Sequence, residues 1–587
     1  MSFFAKYSMP LLAGLIICLF YTGLPLLKNC RLSEENDSHR MDVRDWIRVL
    51  VLSTVYAVAA FTNLGINSAP QSFWEGQGDE FLSLELSETA DVDSIVFYSG
   101  INVGSYNIEV SENGENYHLA AVIEQAYSEL LRWKSLELQE VGKNVRFVRI
   151  STQGQPRLGE LAFFSQGRLI PYSSTVSALG DEAELIPAAS DYLNSSYFDE
   201  IYHVRTAVEH MEGMNPYEIS HPPLGKLIIS IGIALFGLTP FGWRFMGTLF
   251  GVLMLPIMYV FAKKLFGGRA APACCSVMLA AEFMHFTQTR IATIDTYGVF
   301  FILLMYLFMF LWLTEQKQWQ LFLCGLSFGL GAASKWICLY AGAGLGVLWA
   351  LYWLIFGRKK GFKAFLKNSL WCVLFFVVIP CIIYYVSYYP YGVARGLHGM
   401  GSFFTKEYAQ TVLSNQEFMF SYHSGVEATH PYSSMWYQWL LNIRPILYYL
   451  TYLEEGTRSS FGAFMNPAIC WAGLLALFVL LYTAIARRDK KAAFLLLAYL
   501  AQLLPWVFVP RLTFAYHYFP CSVFLILSLG YVMELIRLNT PRWQAYVYGF
   551  TGFCVALFIL FYPVLSGAPV SVAFADKFIG WLPTWPF

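Results

Sequence analysis

Twelve apolar runs, most of them long enough to cross a bilayer, dominate this 587-residue chain and restrict what it can fold into. They fall near 8–27, 46–64, 243–262, 270–287, 295–313, 319–334, 337–356, 368–389, 467–485, 492–509, 515–536 and 544–565. About 18–20 apolar residues span the hydrocarbon core, and in lipid a helix pairs every backbone N–H and C=O within its own segment. Only 13% of the residues are charged, where a soluble chain carries about 25%. The net charge of −1 leaves no basic surplus to neutralise phosphates, so a nucleic-acid partner is excluded. All 11 cysteines except Cys30 sit in apolar segments; they read as small packing residues, not as a disulfide framework. The run at 8–27 lacks a convincing cleavage site and reads as a retained helix.

Lysine and arginine in the short loops orient the spans. Basic clusters lie at Lys28–Arg48, Lys263-Lys264 with Arg269, Arg358–Lys367, Arg487–Lys491 and Arg537–Arg542. Placing all of them in the cytoplasm puts 65–242, 288–294, 335–336, 390–466 and 510–514 outside. The apolar stretch Leu224–Leu238 is marginal for spanning. If it crossed, every later basic loop would invert. It therefore reads as a helix in the outer interface, tethered by Lys226. The expected organisation is two N-terminal spans in 1–64, a soluble module in 65–172 and an outer polar loop in 173–242. Further spans follow in 243–389, then a large outer loop in 390–466 and C-terminal spans in 467–587.

The soluble module announces itself by a change of period. FLSLEL, SIVFYS, SYNIEVS, SLELQEV and VRFVRIS alternate apolar and polar residues between Gly, Asn and Asp turns, the pattern of short strands in a sandwich. The order of these strings resembles the discoidin-like (coagulation factor C-type) module. That resemblance implies a jelly-roll whose loops bind carbohydrate or surfaces, although the flanking cysteines usual in that family are absent. A structural spacer without a ligand is the plain alternative.

Polar residues out of place in such a chain gather on the outer side. Asp199, Glu200 and His203 sit in FDEIYHVR, and His221, Pro222 and Lys226 in HPPLGK. Arg290 and Asp295 flank RIATID, Lys335 interrupts GAASKWICLY, and Arg511, Tyr516 and His517 lie in PRLTFAYHYFP. Ionisable groups near lipid are costly and face a cavity or a partner. Each also has a duller reading. Asp199 and Glu200 can simply cap a helix, Arg290 and Asp295 can pair with each other, Lys335 and Arg511 can snorkel to headgroups, and His517 can be a satisfied boundary histidine. Their coincidence on one side argues against all of these at once.

These strings, together with WRFMGTLFGVLMLPIMY and NIRPILYY, resemble the protein O-mannosyltransferases, which are C-type membrane glycosyltransferases. The resemblance covers 190–340 and, in blocks, 430–540. It implies a helical polytopic membrane fold of eleven core helices plus one N-terminal addition. The inserted β-sandwich is a departure, because eukaryotic members carry a different module in a later loop. By the same resemblance Asp199 is the catalytic base, which suits a weak hydroxyl nucleophile. Glu200 is the adjacent acidic residue that orients substrate or backbone. Arg290 meets the donor phosphate, where a guanidinium stabilises developing charge. Lys335 and Arg511 are further phosphate candidates. His203, His221, Pro222, Lys226, Asp295, Tyr516 and His517 bind or shape the substrate site.

No resident cofactor follows from the chain; the lipid-linked sugar phosphate is a substrate, and no Walker or dinucleotide loop is present. His398, His423 and His430 with Glu407, Glu417 and Glu427 in 390–466 match no tight metal-ligand spacing, so no metal site is expected. The implied activity is inverting transfer of a hexose, by resemblance mannose, from a polyprenyl phosphate to Ser or Thr hydroxyls. The implied place is the outer face of a bacterial plasma membrane. The partners are the lipid donor, an acceptor protein and membrane lipids, and eukaryotic relatives imply a dimer. An envelope glycolipid or polymer as acceptor, or another sugar, uses the same machinery. A transporter predicts internal repeats and midplane polar groups, and neither is evident. A glycan receptor acting through the β-module alone would leave the outer charges idle.

Overall fold

The computed structural model describes residues 27–32, 39–76, 81–425 and 428–587. The expected span at 8–27 lies, but for its last residue, outside the described residues. Two compact units divide the chain. One is Asn63–Glu212 with Ile228–Met246, and the other holds the residues up to Thr62, Gly213–Leu227 and Gly247–Phe587.

The first unit contains an antiparallel β-sandwich. One sheet runs β1 (Trp74–Glu75), β8 (Arg157–Ser165), β3 (Ser94–Ser99), β6 (Arg132–Glu137), with β9 (Arg168–Ile170) on β8. The other runs β10 (Tyr172–Ser174), β2 (Leu82–Ala90), β7 (Val145–Gly154), β4 (Gly104–Ser111), β5 (His118–Gln125). Strict alternation in β2 buries Leu82, Leu84 and Leu86 and exposes the residues between. They join Ile95 and Phe97 of β3, Ile108 of β4, Val148 and Ile150 of β7 and Leu161 and Phe163 of β8 in one core, as expected when two sheets pack face to face. The strand β5, HLAAVIEQ, was not among the expected strings. It is an edge strand with a mostly exposed pattern, so burial did not impose the alternation that marks its neighbours.

Membrane-spanning helices build most of the second unit. Eight helices of the described residues are long and apolar enough to cross, among them Pro240–Phe266, Asp295–Glu315, Ile337–Lys360, Phe362–Ser387, Pro467–Ala486 and Ala515–Asn539. The chain is therefore a multi-pass integral membrane protein. The expected span 270–287 is a bent pair, Ala270–Ala280 and Phe283–Thr289, at 55°. Glu282 sits at the break and caps the second piece, its carboxylate accepting His285 N at 2.7 Å and Asn466 N at 3.0 Å. The expected span 319–334 is the 17-residue helix Gln318–Ser334, and 46–64 is the helix Val43–Phe61. Leu224–Phe236 has 13 residues, about 20 Å at 1.5 Å per residue, which is too short for a 30 Å core.

The region 390–466, expected to be a solvated loop, is folded. It carries the helices Lys406–Gly425 and Trp436–Leu440 and a hairpin of β11 (Ile446–Tyr452) and β12 (Thr457–Ala463). The long helix docks through Tyr388 Oη, which donates to Asn415 Oδ1 at 2.6 Å, and Asn415 Nδ2, which donates to the Ile219 carbonyl at 2.9 Å. Composition alone misread this region: Lys406, Glu407 and Glu417 do face water, but Tyr408, Thr411, Val412 and Asn415 on the same helix are buried.

Candidate active site

In the first unit the chain reverses sharply before the helix Glu200–Glu212. Phe198 adopts φ +48°, a left-handed conformation that costs a non-glycine residue about 1–2 kcal/mol. Asp199 follows at the mouth of the helix, half-buried, and its carbonyl accepts Tyr202 N at 3.1 Å and His203 N at 3.2 Å. Asp199 thus opens the helix, as its residue type favours.

Glu200 points elsewhere. It is fully buried, and its two oxygens accept Arg244 Nε and Nη2, each at 2.7 Å. Arg244 spends its other donors on the carbonyls of Leu64 at 2.9 Å, Tyr192 at 2.6 Å and Ser195 at 2.9 Å. All five N–H groups of a guanidinium are then used, the condition for burying such a pair without a large penalty. Both oxygens of Glu200 are thus engaged by Arg244 inside the fold. On the same helix His203 is buried, and Arg205 donates to Glu209 at 2.7 Å.

The second unit assembles a separate cluster around Glu218. Lys226 Nζ donates to Glu218 Oε2 at 2.6 Å, the Glu218 carbonyl at 2.7 Å and the His221 carbonyl at 3.0 Å. Lys226 is fully buried, which corrects its expected role as a tether to lipid headgroups: three internal acceptors outcompete the interface. His221 Nδ1 lies 3.0 Å from Glu218 Oε1. Pro222 leads into Pro223, whose carbonyl starts the helix Leu224–Phe236 by accepting Lys226 N and Leu227 N at 3.0 Å.

Against His221 stands His423, with ring centroids 5.2 Å apart. His423 Nε2 donates to the Ser220 carbonyl at 2.8 Å, which leaves Nδ1 as the acceptor in the neutral ring. Burial holds His221 below the usual histidine range. It pushes His423 down to about 4, helped by the positive field of His221, Arg511 and Lys335. Lys335 Nζ donates to Asp295 Oδ1 at 2.6 Å and lies 5.6 Å from the centre of the Tyr516 ring. His517 bonds its own backbone at Phe514 and packs on Trp439 and Trp506.

Of the residues singled out from the sequence, Lys335, Arg511, His221 and His423 thus share one electropositive environment. Asp295 pairs with Lys335; the alternative of an Arg290–Asp295 pair is not what forms. Arg290 ends the helix Phe283–Thr289, with its guanidinium 4.7 Å from the Phe286 ring centre and Nη1 3.4 Å from the Ala59 carbonyl. Sequence reading missed Arg244 and Glu218. The signals were there: a lone cation opening the apolar run WRFMGTLFG, and an acid three residues before His221. Among the described residues, the group whose ligand atoms come close enough for a cation is Glu160, Asp181 and Glu182, within 4.8 Å of one another. It lies in the β-unit and not in 390–466. Burial raises Glu160 to about 7.

Comparison with known proteins converges on one family. The model described as dolichyl-phosphate-mannose-protein mannosyltransferase matches residues 220–384. That of the C-terminal four-transmembrane region of protein-O-mannosyltransferase matches 408–585. A polyprenol-phosphate-mannose–protein mannosyltransferase of Mycolicibacterium smegmatis is 25% identical over 451 residues, covering 66% of this chain and 87% of the relative. One of Corynebacterium glutamicum is 25% identical over 462 residues, covering 69% and 88%. The solved Saccharomyces cerevisiae protein O-mannosyltransferase Pmt1–Pmt2 complex bound to the sugar donor aligns with a TM-score of 0.59 at 15% identity. That alignment spans 67% of this chain and 90% of the solved one, and so shares its fold.

Proposed function

This chain belongs to the protein O-mannosyltransferase family, and from that premise we propose that it moves a mannosyl group from a polyprenyl phosphate to Ser or Thr hydroxyls of proteins outside the cytoplasm. The observation that carries this reading is where the family matches fall. The two matched regions, 220–384 and 408–585, hold the cations Lys335 and Arg511 together with the histidines His221 and His423 beside them. A diester phosphate that leaves as a monoester gains a negative charge, and fixed cations aimed at it stabilise the transition state more than the ground state.

The chemistry is a single displacement. The acceptor oxygen forms a bond to the anomeric carbon as the bond from that carbon to the phosphate oxygen breaks, and attack opposite the leaving group inverts the centre. Asp199 receives the hydroxyl proton, and the polyprenyl phosphate departs with the electron pair. Lys335, Arg511 and Arg290 meet the phosphate; Lys335 has three donors, of which Asp295 takes one. His203, His221, Tyr516 and His517 shape the substrate site, and Glu200 fixes the turn that carries Asp199. Asp199 lies before the first matched region, so its role rests on the DE pair of the family motif and on its half-exposed position. The charge of the short loops supports an extracytoplasmic site in a bacterial plasma membrane.

The test is transfer of labelled mannose from polyprenyl-phosphate mannose to a Ser/Thr-rich peptide by the purified protein. Asp199→Asn should lower kcat by about 10²–10⁴-fold with donor binding retained. Unchanged turnover would remove Asp199 as the base. No transfer from this donor to any peptide would sink the acceptor assignment.

A further inference from the structure

The segment that delivers Asp199 is bound to the β-sandwich by its backbone. Trp133 N donates to Ser195 Oγ at 3.0 Å, Ser196 N donates to the Leu131 carbonyl at 2.8 Å, and Ser196 Oγ donates to the Leu130 carbonyl. All five of these residues are buried: Leu130 and Leu131 at 0% exposure, Ser196 at 1%, Trp133 and Ser195 at 2%. Leu131 holds φ +55°, so the connection entering β6 is itself bent to present its carbonyl. The helix Glu200–Glu212 is also tied to the sandwich, at its far end by Arg157 Nη1 to Glu212 Oε2 at 2.8 Å and along its length by the Arg205 guanidinium 5.5 Å from the Tyr127 ring centre. Between Ser196 and Asp199 lie only Tyr197 and the left-handed Phe198.

We propose that the β-sandwich is a positioning frame for the catalytic carboxylate, with Ser195 and Ser196 as the positioning residues. A spacer needs no buried polar contacts to the segment beyond it, and a carbohydrate-binding module needs only its outward loops. Here the connection into the edge strand β6 spends two backbone groups and a further carbonyl on the turn three residues before Asp199. A left-handed phenylalanine persists only where its surroundings hold it, and the frame supplies that hold from one direction while Arg244 does so from another. The inference rests on Asp199 acting as the base, and the experiment keeps the two apart.

Ser195→Ala with Ser196→Ala, in the full-length protein, should lower kcat by about 10- to 100-fold, the scale of a misplacement near 1 Å, with the KM for polyprenyl-phosphate mannose unchanged. Tyr172→Phe removes comparable hydrogen bonding, from Tyr172 Oη to the carbonyls of Leu161 at 3.0 Å and of Leu179, elsewhere in the sandwich, and should leave kcat within twofold of the parent. A double-serine variant that folds and turns over normally overturns the proposal, as does an equal loss in Tyr172→Phe. Activity in Asp199→Asn overturns the base reading beneath it. Hydrogen exchange on the unaltered protein gives a reading independent of folding defects: the amides of 196–203 should open together with those of β6. Exchange of 196–203 orders of magnitude faster than β6 would also overturn the proposal.

Discussion

Two neighbouring carboxylates, Asp199 and Glu200, look equivalent in the sequence and are not equivalent in the fold. One is half-exposed at a helix mouth, and the other is sealed against Arg244. A similar separation of structural from chemical work is expected at Lys335, whose buried partner Asp295 would be stranded by its loss. Lys335→Met should destabilise the protein by about 3–5 kcal/mol, because a buried charge loses its counter-ion. Adding Asp295→Asn should restore the melting temperature but not the transfer rate. Recovery of both would show that Lys335 serves only the fold.

The histidine pair adds a pH dependence with a definite sign. The folded pKa of His423 is depressed from 6.5 to about 4, so between those values the unfolded chain binds more protons. The stabilisation is present above pH 6.5 and is lost as the pH falls towards 4. His221 contributes in the same direction. A melting curve followed from pH 7 to 4 should therefore slope downward, and His423→Gln should flatten it; an unchanged slope would place the titration elsewhere.

Elements were legible where a period was imposed by burial on one side or by lipid all round. The strands β2, β3, β4 and β7 and nearly all described spans lie where alternation or apolar length put them, while β6 begins before the expected SLELQEV and ends inside it. What periodicity could not convey is a break inside an apolar run. The bent pair Ala270–Ala280 and Phe283–Thr289 reads as one span, yet it turns at Glu282 because that carboxylate accepts two backbone N–H groups, one from the distant Asn466. Glu282→Ala should leave both donors buried and unpaired, at about 1–3 kcal/mol each. Glu282→Gln, which keeps an acceptor oxygen, should cost less. The melting temperatures of the two variants check this order, and Arg290, eight residues on, makes donor KM a second readout. The folded region 390–466 escaped for a related reason: its tyrosines and amides look solvated until their partners are known.

For the molecule as a whole, the distribution of Lys and Arg predicts which loops face out. With the exposed Cys381 replaced by serine, cysteines at Asn116 and Gly401 should react with a membrane-impermeant thiol reagent in intact cells. A cysteine at Lys363 should react only after permeabilisation. The reverse pattern would invert the orientation and move the proposed transfer to the cytoplasm.

The amino-acid sequence by itself determined the class of this protein: a membrane helical chain interrupted by a β-sandwich. Those properties follow from local pattern, since apolar length, strand alternation and loop charge act residue by residue along the chain. Only the tertiary structure decided what each polar residue does. Lys226 was withdrawn from the interface to Glu218, Glu200 was given to Arg244, Asp295 to Lys335, and His423 was brought from a distant helix against His221. The physical reason is that a buried charge is stabilised only by the partner and the donors that surround it in space, and neither is encoded by its neighbours in the chain.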